Sequence, residues 1–151
     1  MPTIHFENSE GPLDAWELAH FLHLFRATYS HALSIGAAPE EIAQNPGHFT
    51  EIFSKGLSLD DAARFELFLT DHGDEELRIN RIVKTSPLEI AFIGVLTALT
   101  LAVIFSGGKV ELKNLKDLKF TLPPLGSGIK SLREALRMQP IVKKKKGEDK
   151  K

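Results

Sequence analysis

The sequence predicts an α+β protein: a small β-α-α-β-β module, then one transmembrane helix, then a basic, partly disordered C-terminal region. Three observations carry this expectation. The chain has 151 residues, of which 42% are hydrophobic and 26% charged, a composition ordinary for a folded domain. Its formal charge of -1 conceals a partition: residues 1–86 hold six basic and fourteen acidic side chains, a net of −8, and residues 109–151 hold thirteen and five, a net of +8. Between them runs Ile90–Phe105, IAFIGVLTALTLAVIF, sixteen residues whose only polar side chains are Thr97 and Thr100. Cysteine is missing, which excludes a disulfide scaffold, an iron–sulfur protein, a Cys-ligated zinc module and a cysteine nucleophile.

Residues 1–85 form the predicted acidic module. Thr3–Glu7 (TIHFE) alternates like a short strand with Ile4 and Phe6 on one face. Asp14 and Glu17 resemble a capping box, and Leu18, Phe21, Leu22, Phe25, Tyr29, Ala32 and Leu33 form one helical stripe that Gly36 ends. Pro39 opens a short helix, PEEIAQ, and Phe49, Ile52 and Phe53 mark a further helical piece after the turn at Asn45–Gly47. Arg64–Thr70 and Leu77–Thr85 read as strands joined by an acidic loop.

Residues 86–107 are predicted as the transmembrane helix. Nineteen helical residues from Leu88 to Ser106 would span roughly 28 Å, close to a bilayer's hydrocarbon core. Pro87 suits a first helical turn, and Gly107-Gly108 followed by Lys109 suits a stop. Two faces stand out. Ala91, Gly94, Ala98 and Ala102 form a small-residue stripe through which helices in lipid approach closely. Glu89, Ile93, Thr97, Thr100 and Ile104 form a second stripe, expected to line a pore in a ring of identical helices, with Glu89 at its mouth. A buried central helix of a soluble domain is the alternative, being apolar all round as well.

Residues 108–151 are predicted as a basic juxtamembrane segment, a short helix and a tail. Lys109, Lys113, Lys116 and Lys119 beside Leu112, Leu115 and Leu118 suit a segment contacting lipid or another anionic surface. Ile129, Leu132 and Leu136 mark a helix opened by Gly128, and KKKKGEDKK is a solvated tail.

Little points to catalysis. His20, His23 and His31 share a helix face, but three turns separate the outer pair, too far for one metal ion, and exposed or partner-facing histidines are expected instead. Asp71, Asp74, Glu75 and Glu76 lack the offsets of a calcium loop and read as a solvated turn. No phosphate loop or nucleophile elbow is found. The expectation is therefore a non-enzymatic protein with no catalytic residue, metal or cofactor.

The stretch Leu77–Phe105, LRINRIVKTSPLEIAFIGVLTALTLAVIF, resembles small bacterial membrane proteins in which a strand runs through a Ser-Pro-Leu-Glu turn into a membrane helix. The architecture is similar to that of small membrane effectors in anti-phage operons of the CBASS, Pycsar and Hailong type. That resemblance implies a homo-oligomeric, single-pass protein of the bacterial inner membrane that forms a channel or disrupts the membrane in antiviral defence. It also implies a lipid bilayer, a nucleotide or oligonucleotide activator and an operon-encoded protein as partners. None of the family's ligand-binding motifs is matched, so no ligand site is carried over. The acidic first module is a poor polyanion receptor, leaving the basic C-terminal region or an oligomer interface for such an activator. The rival expectation is a membrane-tethered adaptor or interaction module without conductance. Orientation leans to a cytoplasmic N-terminal module.

Overall fold

A computed structural model describes residues 3–7, 13–33, 39–56, 71, 73–84, 88–114 and 117–136. In chain order they form β1 (Thr3–Phe6), α1 (Ala15–Ala32), α2 (Pro39–Gln44), α3 (Pro46–Gly56), β2 (Arg78–Lys84), β3 (Leu88–Ile93), α4 (Leu96–Phe105), β4 (Lys109–Asn114), β5 (Asp117–Leu122) and α5 (Leu125–Ala135). The strands make one mixed sheet in the order β2-β3-β1-β5-β4. β1 lies parallel to β5, and the other neighbours are antiparallel. The α+β expectation holds. The predicted strand Arg64–Thr70 falls outside the described residues.

Pleating divides the sheet into two faces. Ile4 and Phe6 pair in register with Ile90 and Leu88 on one side and with Phe120 and Leu122 on the other, and all six are buried. α1 packs on this face through an aromatic series: Phe6 meets Phe21 edge-on at 5.4 Å, Phe21 stacks on Phe25 at 5.3 Å, and Phe25 stacks on Phe92 at 5.2 Å. Such pairs add roughly 0.5–1.5 kcal/mol each beyond their buried area. α1 begins where expected: Asp14 accepts a hydrogen bond from the Trp16 amide at 3.3 Å.

The predicted transmembrane helix is not one helix. Leu88–Ile93 is a strand, the chain bends at Gly94, and Leu96–Phe105 is a separate ten-residue helix. No helix among the described residues is long and apolar enough to cross a membrane. The apolarity has another cause. β3 sits between β2 and β1 with Leu88, Ile90 and Phe92 facing the helices, while Ala98, Leu99, Leu101, Ala102 and Val103 of α4 are fully buried in the same core. Burying each large aliphatic or aromatic side chain contributes roughly 1.5–3 kcal/mol.

The break between β3 and α4 is held by Tyr29 of α1. Its hydroxyl accepts the Val95 amide at 2.8 Å and donates to the Glu75 carbonyl. Val95, the residue before α4, is extended (φ −73, ψ 122). Gly94 lies against the Tyr29 ring so closely that a Cβ there would stand 2.9 Å from the hydroxyl oxygen. A ring that must reach the Val95 amide leaves room only for glycine beside it.

Gly107, with φ 83, ends α4 as the sequence predicts. The lysine-rich stretch that follows, expected as a juxtamembrane segment, forms an antiparallel hairpin of Lys109–Asn114 and Asp117–Leu122. α5 starts at Leu125, earlier than the predicted Gly128, because Pro124 (φ −55, ψ 155) already ends the extended chain. Strands from all three predicted segments share the one sheet.

Candidate binding surfaces

The open face of the sheet carries the alternate side chains. Strand register aligns Val83, Glu89, His5, Thr121 and Lys109 in one row across all five strands. Glu89 Oε2 and His5 Nδ1 lie 3.2 Å apart, each side chain about one-third exposed. Beside them a depression of about 340 Å³ is bordered by His5, Phe6, Glu7, Lys119 and Thr121. Glu89 and Lys109 in the row, and Glu7 and Lys119 at the depression, set both signs of charge on this surface, so it favours neither sign of ligand.

The β2 edge is different. Every residue of β2 except Val83 is exposed, and Ile79 and Ile82 keep 42% and 40% of their surface in solvent. Arg78, Arg81 and Lys84 stand in the same seven residues. Among the described residues β2 has a strand neighbour on one side only. A register shift between Ile79 and Arg81 interrupts its pairing with β3.

A third surface lies where α1 meets α5. Trp16 is 58% exposed, and its ring stacks on His20 at 4.9 Å with 22° between planes. The Arg133 guanidinium reaches His20 Nε2 at 3.4 Å. His20 is held below its ordinary pKa, first by burial, then by Arg133 and His23. His23 is lowered by burial and by Arg26. His31, predicted on the same exposed face, instead lies against α3: its Nε2 is 3.1 Å from the Phe53 carbonyl, and its ring meets Phe53 edge-on at 4.5 Å. Burial lowers its pKa, partly offset by that hydrogen bond.

The residues predicted to line a pore are not gathered on one face. Glu89 is on the open sheet face, Ile93 is exposed at the end of β3, and Thr97 is in the first turn of α4. Thr100 is buried and donates to the Leu96 carbonyl at 2.8 Å, and Ile104 packs against the core. The small-residue set is likewise divided between Ala91 on β3, Gly94 at the bend, and Ala98 and Ala102 on α4. Of the four lysines, Lys109 and Lys113 are in β4 and Lys119 is in β5, while Lys116 lies outside the described residues. Among the described residues no group of three His, Cys, Asp or Glu is placed to hold a metal ion.

The acidic turn has an unforeseen role. Glu76 receives two hydrogen bonds from Arg26, at 3.1 and 2.8 Å, so this carboxylate is tied to α1 rather than solvated. Asp71 accepts the Gly73 amide at 3.0 Å and shapes the turn. Sequence reasoning missed Trp16, His5 and Arg133. The available signal was a lone tryptophan one turn before His20, outside the apolar stripe of its helix.

These elements define a helix-backed mixed sheet of the α+β class. The chain matches no protein-family model, and no significant match was found among curated proteins or solved structures.

Proposed function

We propose that the protein is a non-enzymatic interaction module that takes an extended acidic peptide as an added strand along β2. The carrying observation is the β2 edge itself, with two half-exposed isoleucines and three cations in seven residues. A sheet edge offers unpaired backbone groups, and an incoming strand gains affinity from them and specificity from alternate side chains. Edge cations also guard against self-pairing. Two copies of β2 would set Arg78, Arg81 and Lys84 against the same charges, whereas a partner alternating acidic and apolar residues matches both features.

The test is a calorimetric titration of the full chain with a synthetic peptide alternating glutamate and valine. Binding that weakens with salt, falls about tenfold in Arg81→Glu, and is missing for a lysine–valine peptide supports the reading. Equal binding of both peptides, or none, overturns it.

The channel or membrane-disrupting reading rests on the apolarity of residues 88–105 and requires them to leave the core. Dye release from anionic vesicles by the purified protein is its test, and intact vesicles at every protein concentration count against it.

A further inference from the structure

We propose that the surface formed by α1 and α5 around Trp16, His20, His23 and Arg133 binds single-stranded nucleic acid. This goes beyond the peptide-binding reading and uses different residues. Trp16 has the highest exposure among the large hydrophobic side chains described, yet it is ordered by stacking on His20 rather than left in solvent alone. Stacking on His20 orients the ring, and more than half of its surface still faces solvent. Such a ring gains most from a flat partner, and every nucleobase is one.

The surroundings suit the rest of a nucleotide. His20 is flanked by Arg133 and His23, and Lys130 is exposed one turn before Arg133 on α5. Trp16, His20 and His23 recur at helical spacing and form one strip about 10 Å long on α1, which the Arg133 guanidinium of α5 reaches at His20. Asp14, two residues before Trp16, is engaged as the helix cap through the Trp16 amide. Glu17 and Glu134 are the other acids on these two helices near the strip. Burial is the first cause of the lowered pKa of both histidines, with Arg133 and His23 adding to it at His20 and Arg26 at His23. A phosphopeptide would use the cations but has no need of the stacked ring, so nucleic acid is favoured.

Trp16 is the only tryptophan in the chain, so its fluorescence reports this surface directly. The experiment titrates the full chain with oligo-dT and, separately, with inorganic polyphosphate, which carries charge but no bases. Expected is saturable quenching by oligo-dT, with affinity falling as salt rises by roughly 0.7 logarithmic units per phosphate contact for each tenfold change in salt. By anisotropy of labelled oligo-dT, Trp16→Ala should weaken binding about tenfold and Trp16→Phe should restore most of it. Arg133→Gln should lower the salt slope. Because Trp16 is exposed, its replacement leaves the core intact, and unchanged circular dichroism checks this. Oligo-dT that binds without quenching, or equally well to Trp16→Ala, places the contact elsewhere and overturns the proposal. Equal quenching by polyphosphate also overturns it, in favour of a site for phosphate groups alone.

Discussion

Tyr29 is one residue on which three segments converge: α1, which carries it; the turn before β2, whose Glu75 carbonyl it donates to; and the start of α4, whose Val95 amide it accepts. Tyr29→Phe keeps the ring but leaves both backbone groups without that partner, and should cost about 1–3 kcal/mol in urea denaturation. Gly94→Ala presses a methyl group against the same hydroxyl and should cost a similar amount, about 1–3 kcal/mol. Gly94→Leu, the natural test of a small-residue helix interface, therefore disrupts the fold before it can report on oligomerisation. Ser30 offers the opposite case. Its hydroxyl is buried with no hydrogen-bond partner among the described residues. Ser30→Ala should be neutral or raise stability by up to about 1 kcal/mol, seen as an unchanged or higher denaturation midpoint.

At the scale of elements, the readings that succeeded had a distinctive period or a cap. α1 was legible from its aromatic stripe and Asp14, β1 from Ile4 and Phe6, and β2 from its bounds. The run 88–105 failed because a short buried strand and a buried helix both lack a polar face. Its first six residues, LEIAFI, do alternate: Leu88, Ile90 and Phe92 point to the helices, while Glu89, Ala91 and Ile93 point away. Ala91 and Ile93, both apolar on the open face, hid that period. Residues 109–122 failed in the opposite way. Val110 and Phe120 pair on the core face, and Lys109, Glu111, Lys119 and Thr121 alternate with them. Leu112, Leu115 and Leu118, recurring every third residue beside the lysines, hid the two-residue period of the hairpin. The candidate surfaces were less legible still, because each joins residues distant in sequence: His5 with Glu89, His20 with Arg133, and Arg26 with Glu76. Replacing the last pair's acid, Glu76→Gln, should lower stability by about 1 kcal/mol or more, since Arg26 is partly buried and loses its charged partner.

For the whole molecule, charge and stability are linked through three histidines. His20, His23 and His31 all have folded-state pKa values below the ordinary 6.5. Between the folded and unfolded values the unfolded chain binds more protons, so stability is full above about pH 6.5 and declines as pH falls through the lowered values. The thermal midpoint should therefore drop between pH 7 and pH 5. His31→Gln, which can still donate to the Phe53 carbonyl, should flatten part of that slope, and an identical slope would remove His31 from the account.

The position of β1 in the sheet has a consequence for how the protein is made. Its four residues are the first strand in chain order and the middle strand in space, and both neighbours, β3 and β5, follow much later. While a ribosome is synthesising this chain, β1 waits with both edges open until residues 88–93 and then 117–122 emerge. Completion of the sheet is thus deferred to the end of the described chain. Stalling translation between β3 and β5 should leave the nascent protein sensitive to protease, with resistance appearing only once β5 has cleared the exit tunnel.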